Sequence, residues 1–273
     1  MERRDFIRQI GKAGIGIAGI SILPAVLKGI NLKSDKHLNV VFILADDMGW
    51  NQTGYFGSKF YETPNIDSIA HDGIYFTAAY AAAPTCSPSR AAIMTGKYPA
   101  RLNLTEYIPG DQYPWAKLKC PKIADRLPLE EVTLGELFKS AGYSTAMIGK
   151  WHLGSDPTGF DHWDILPGQG NYYNPDFITK DGKQVEKGYV TEIITRKCLE
   201  WLNEVKDSGK PFMLMMHHKA PHREWQPGPN ELSLYKDVTF PEPATLFDDY
   251  SGMGTAEKSQ DMSISKTMRL QED

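Results

Sequence analysis

The chain has 273 residues, of which 41% are hydrophobic and 23% charged, enough apolar material for one large domain or two small ones. A formal net charge of −4 implies no basic face and argues against a nucleic-acid binder.

The first residues read as an address. Arg3-Arg4-Asp5-Phe6-Ile7-Arg8 is a twin arginine followed by an apolar pair, and Ala13 to Leu27 is a modest apolar run rich in Gly, Ala and Ile. Charged and then apolar regions in that order predict an export signal of the twin-arginine type over residues 1–29, with a polar linker over 30–37 and the folded part over 38–273. The uninterrupted apolar run is shorter than the ~20 residues a spanning helix needs. The expected location is periplasmic or secreted, or membrane-anchored where the signal stays uncleaved. Three cysteines is an odd count for an exported protein, so at least one is expected to be non-structural. Cys120 and Cys198 are either a disulfide or two reduced thiols.

Leu38 to Ala45 is a continuous run rich in β-branched residues, as expected of a strand buried on both faces. Asp46 and Asp47 follow at the carboxyl end, where ligands collect in a doubly wound sheet. Two adjacent carboxylates repel unless a cation neutralises them, and a hard divalent metal suits oxygen ligands. Standing alone, such a pair is more often a solvated turn. Thr63-Pro64 opens a helix, and Ile74 to Tyr80 reads as a strand. Cys86-Ser87-Pro88-Ser89-Arg90 then looks like the first turn of a helix that ends at Gly96, with proline tolerated where its missing N–H costs nothing. A helix N-terminus favours an anion beside Cys86, and Arg90 lies one turn on from it.

Lys97 to Leu129, rich in Pro, Tyr and charge, reads as a surface excursion. Thr133 to Gly142 has a capping box (Thr133, Glu136) and apolar residues at helical spacing. The short strand Tyr143 to Ile148 ends in Gly149-Lys150-Trp151-His152, again at the ligand edge. Phe160 to Asp164 offers an Asp-His pair in a Gly- and Pro-studded loop and ranks below the other candidates. Gln169 to Asn174 reads either as a sugar-holding loop or as a packed polar one. Tyr189 to Lys206 is the longest helical pattern, and Phe212 to Met216 is a buried strand. His217 and His218 are expected to support its end, ahead of Lys219-Ala220-Pro221-His222. Gly254 to Glu272 is a weak helix candidate.

Cys-x-Pro-x-Arg resembles the signature of the type I sulfatases, within the alkaline-phosphatase-like superfamily. The resemblance continues through Asn39 to Asp47, Thr63 to Asp67, Met94-Thr95-Gly96, Gly149 to His152 and His222. It implies an α/β fold, an alkaline-phosphatase-like α/β/α sandwich with a mostly parallel sheet. It also implies that Cys86 is oxidised to formylglycine by a formylglycine-generating maturase. A calcium ion would be held by Asp46, Asp47 and the side chain at 86, and Arg90 and Lys150 would hold the sulfate. His222 would be the general acid and His152 would help the aldehyde to reform. The Lys-Ala-Pro-His segment is similar to that of glycosaminoglycan and other polysaccharide sulfatases, which points to a sulfated carbohydrate partner. The family usually completes its metal site with a later Asp-Asn or Asp-His pair. None follows His222, so the expectation is an N-terminal part of the catalytic domain with a sheet incomplete at its C-terminal end. Phosphoester or phosphonate hydrolysis and a non-catalytic remnant are the competing readings.

Overall fold

The computed structural model describes residues 37–110, 122–259 and Ile264. The expected export signal, most of the linker and Cys120 lie outside these residues. Among the described residues, six strands form one sheet in the order β1-β6-β2-β3-β4-β5. They are β1 (Val40–Leu44), β2 (Ser144–Lys150), β3 (His162–Leu166), β4 (Asp176–Thr179), β5 (Gly182–Val185) and β6 (Phe212–His217). The pairs β1–β6, β6–β2 and β2–β3 are parallel, whereas β3–β4 and β4–β5 are antiparallel.

Helices cover both faces of the sheet. Ala91 and Met94 of α2 (Cys86–Thr95) and Leu134 and Phe138 of α3 (Leu134–Ser140) pack with Met147, Trp163, Met213 and Met215. On the other face, Ile193, Ile194, Cys198 and Trp201 of α4 (Val190–Val205) pack with Ala146, Ile148, Leu166 and Leu214. Alternate residues of β2 and β6 feed opposite cores, which is why their near-continuous apolar runs are mostly buried. The layered α/β architecture is the expected one. α1 (Pro64–Asp72) and α3 also form as anticipated, the latter with the full Thr133–Glu136 capping box.

Four local expectations are corrected. β1 is an edge strand, and Val41 and Ile43 are 48% and 59% exposed, so its apolar run is not buried on both faces. Residues 74–80 form a turn at Thr77-Ala78 in otherwise irregular chain, not a strand, and Ile74, Phe76 and Tyr80 are exposed. The Lys97–Leu129 stretch is no mere excursion, because Leu102, Leu104 and Leu127 are core residues. His162 to Asp164 open strand β3, since Trp163 and Ile165 alternate into the core where only Gly and Pro punctuation had been read. Of the C-terminal helix candidate, α5 spans only Thr255–Lys258, and residues 260–263 and 265–273 lie outside the described part. The β4–β5 hairpin was not anticipated.

The Asp161-His162 pair is tied into the fold: Asp161 Oδ2 accepts from Thr145 N at 3.1 Å, Lys139 Nζ lies 2.7 Å from Asp161 Oδ1, and His162 Nε2 lies 3.7 Å from Asp164 Oδ1. Asp164 takes 2.8 Å contact from Lys197 Nζ, which also meets Glu186 at 2.6 Å. Lys197 reaches these carboxylates from α4 across the ring of Phe177, 5.0 Å from its centroid. Burial works against the charge on both Asp164 and Lys197. Their mutual attraction, with His162 beside Asp164 and Glu186 beside Lys197, still lowers the carboxyl and raises the ammonium from their ordinary values of 3.8 and 10.5. The depressed acid stabilises the fold above its ordinary value and loses that contribution as pH falls through its folded value. The raised base loses its own as pH rises past 10.5. Lys197→Met is therefore expected to cost about 3 kcal/mol near neutrality, because it strands a buried carboxylate, and to flatten the acid limb of stability against pH. Urea midpoints from pH 3 to pH 8 measure both effects.

Candidate active site

Four separate segments deliver side chains to the carboxyl edge of the sheet. β1 ends at Leu44, and Asp46 is fixed by its N–H donating to Ala220 O at 3.1 Å. Asp47 takes a left-handed backbone with φ 65°, which turns consecutive carboxylates in different directions. Thr85 precedes α2 in extended conformation and makes no side-chain cap, so the first-turn N–H groups of α2 remain available to an anion. Gly96, at φ 67°, closes α2 as expected.

Lys150 ends β2, and its placement depends on Gly149. Gly149 pairs with His217 in register at φ 108°, and a Cβ there would lie 1.9 Å from His217 O. Only glycine permits that approach. Lys150 is fully buried, and its Nζ donates to Asp46 Oδ2 and, at 2.5 Å, to Gln169 Oε1. Arg90 is equally enclosed. Its Nη1 donates to Lys150 O and, at 3.1 Å, to His217 Nδ1, while Nη2 stands 3.2 Å from Asp46 Oδ1. Burial alone would raise the Asp46 carboxyl, but the Arg90 and Lys150 cations overcome it and hold the acid below its ordinary range. Arg90 Nε is buried and makes no hydrogen bond, leaving a guanidinium donor at a site lined by Cys86.

Cys86 Sγ lies 3.2 Å from His152 Nδ1, and His152 Nε2 lies 2.7 Å from Ile108 O. A carbonyl can only accept, so Nε2 carries the hydrogen and the Nδ1 lone pair faces Cys86. Burial, only partly offset by that Ile108 hydrogen bond, pushes the His152 pKa down to about 4. His222 is arranged the opposite way. Its Nδ1 donates to Arg223 O at 2.5 Å, and Nε2 lies 3.5 Å from Asp47 Oδ2.

Two cavities lie at this edge, linked by the approach of His222 to Asp47. One, of about 310 Å³, is lined by Asp46, Asp47, Cys86, Ser89 and Arg90. The other, of about 580 Å³, is lined by Gln169, Asn171, Tyr172, Tyr173, Lys219 and His222. The family model for the sulfatases matches residues 38–260. The chain belongs to the sulfatase family.

Among relatives of this sulfatase chain, the N-acetylglucosamine-6-O-sulfatase of Bacteroides thetaiotaomicron is 45% identical over 237 residues, covering 85% of this chain and 39% of that protein. The N-acetylgalactosamine-6-sulfatase of Sus scrofa is 32% identical over 238 residues, covering 78% of this chain and 42% of that protein. A solved structure in complex with its substrate D-glucosamine-2-N,6-O-disulfate superposes with a TM-score of 0.74 at 43% identity, covering 87% of this chain and 45% of that one. The sulfatase chain thus spans about two-fifths of the length of these curated relatives.

The residues that the resemblance assigns to the site lie along this edge. Cys86, Asp46, Asp47 and Arg90 line one cavity, His152 contacts Cys86, Lys150 contacts Asp46, and His222 borders the second cavity beside Asp47. For a hard cation the donor type fits, because two carboxylates share the cavity with Cys86 and Asp46 is held ionised. The donor number is small. Among the described residues no group of three or more His, Cys, Asp or Glu side chains forms a metal cluster, whereas calcium takes ~6–8 oxygens. Two members escaped the sequence reading. Gln169 was read as part of a sugar-holding or packed polar loop, and His217 as strand support, yet one grips Lys150 and the other accepts from Arg90. No spacing rule announces either contact.

Proposed function

We propose that this site hydrolyses sulfate monoesters on a sulfated glycan, with the side chain at position 86 as the nucleophile after conversion of Cys86 to formylglycine by a maturase. The supporting observation is the approach of His152 Nδ1 to Cys86 Sγ, with Cys86 lining a cavity together with Asp46, Asp47 and Arg90. Asp46, Asp47 and the side chain at 86 would hold the cation, calcium in the resemblance, which when bound neutralises charge and lowers the pKa of a coordinated hydroxyl.

The remaining steps belong to this chain's own groups. Arg90 Nε would meet a sulfate oxygen with a donor that is otherwise unused, and Lys150 adds a second buried cation, so charge that grows in the transition state is already matched. The α2 N-terminus supports the same anion. His152 Nδ1 takes a proton from the side chain at 86. His222 Nε2, with Nδ1 fixed on Arg223 O, gives a proton to the departing alcohol oxygen at the boundary of the larger cavity.

The aromatic and amide side chains of Asn171, Tyr172 and Tyr173 suit a sugar ring, and relatives carry amino-sugar sulfatase names. Export to the periplasm or beyond accords with a polysaccharide substrate. Among the described residues no helix is long and apolar enough to cross a membrane. Parallel assays of chain co-expressed with a maturase test the reading. N-acetylglucosamine-6-sulfate should be turned over at least about 100-fold faster than the corresponding 6-phosphate, a gap of at least about 2.7 kcal/mol in transition-state binding. Equal or inverted rates would assign the site to phosphoester chemistry.

A further inference from the structure

Four cations are buried among the described residues, namely Arg90, Lys150, Lys197 and Lys219. The first three each meet a carboxylate: Arg90 and Lys150 on Asp46, and Lys197 on Asp164 and Glu186. Lys219 does not. It is 5% exposed, its ammonium lies 4.8 Å from the Tyr172 ring centroid, and it has no ion-pair partner among the described residues. A buried, unpaired ammonium is costly to the fold. Its cation–π contact returns only part of that cost.

Its position says what would complete it. His222 N donates to Lys219 O at 3.0 Å, so the two residues bracket a single turn and both border the 580 Å³ cavity. Lys219 does not line the cavity of Asp46, Asp47 and Cys86. It shares with His222 the cavity that also carries Asn171, Tyr172 and Tyr173, the side chains that suit a sugar ring. Tyr172 fixes this arrangement, because its hydroxyl donates to His222 O while its ring lies beside the ammonium. Glu224 borders the same cavity and, with Asp46 and Asp47, favours the charged amine. Burial first, and then the like charge of Lys150, outweigh them and leave Lys219 below the ordinary lysine range.

We infer that Lys219 holds a second anionic substituent of the sugar, a sulfate or carboxylate group distinct from the ester that is cleaved. This rests on the sulfated-glycan reading of the site and adds to it a specificity-determining contact. The substrate in the related solved complex does carry two sulfate groups. A charge-assisted hydrogen bond at a buried site supports about a tenfold preference for the doubly charged ligand.

Calorimetric titration tests this on protein made without maturase, so that residue 86 stays cysteine and no turnover intervenes. The probes are D-glucosamine-2-N,6-O-disulfate and N-acetylglucosamine-6-sulfate. The natural chain should bind the disulfate about tenfold tighter. Lys219→Met should collapse that preference to within about twofold, and Lys219→Arg should keep most of it. An equal loss for both sugars in Lys219→Met would mean that the residue serves the shared 6-sulfate, and an unchanged preference would mean that it touches neither, and both overturn the proposal. Binding of neither sugar by the natural chain would remove the sulfated-glycan reading itself, and this inference with it.

Discussion

Lys150→Met should lower unfolding stability by about 3 kcal/mol, and Asp46→Asn made in the same chain should restore much of the loss. Lys150 has no exposure, and its ammonium sits on a carboxylate that is itself 5% exposed. Removing one partner of a buried pair leaves the other charge without compensation, at a cost of ~3–5 kcal/mol. The lower end applies because Arg90 Nη2 still faces Asp46 Oδ1 at 3.2 Å. Neutralising the stranded acid then removes most of the penalty, and a coupling of this sign between the two changes marks direct contact. Urea unfolding reads the effect as a lower midpoint at constant slope. Additive losses in the double variant would mean that Lys150 and Asp46 do not share this buried pair. The same double change should remove the sulfate-holding cation and one metal ligand, so the regained stability should come without regained activity.

The second large effect concerns position 86. Cys86→Ala should reduce sulfate-ester turnover of the mature protein by at least about 1000-fold while leaving the fold intact, since loss of a nucleophile that works with its base is nearly the loss of the whole constellation. Cys86 begins α2, where the neighbouring buried groups Ser87, Pro88 and Arg90 rather than its own side chain anchor the helix. Thermal midpoints should therefore move little. A Cys86→Ala protein that keeps more than a tenth of the activity would place the nucleophile elsewhere.

The fold was legible where period and punctuation agreed. Thr133 and Glu136 announce α3, Gly96 closes α2, and the unbroken apolar run of β6 fits a strand with helices on both faces. It was illegible where neighbours decide. The run of β1 is as apolar as that of β6, yet its edge position leaves Val41 and Ile43 exposed, and no local pattern distinguishes an edge from a centre. The aromatic stretch from Ile74 to Tyr80 has the composition of a strand without a ladder to join.

The site divides in the same way. Cys86, Asp46, Lys150 and His152 were readable because their chemistry is dense in short motifs at strand ends and a helix start. Gln169 and Lys219 were not. An amide that accepts from Lys150 and an ammonium without a carboxylate are facts of three-dimensional neighbourhood. Asp164 illustrates the converse, a carboxylate beside a histidine whose role is to hold Lys197 inside the fold.

The central claim is that residue 86 carries sulfatase chemistry, and the mass of the peptide containing it tests this most directly. After co-expression with a competent maturase, that peptide should be about 18 Da lighter than its thiol form, as expected when the side chain becomes an aldehyde. An unmodified thiol at Cys86 under those conditions would contradict the account.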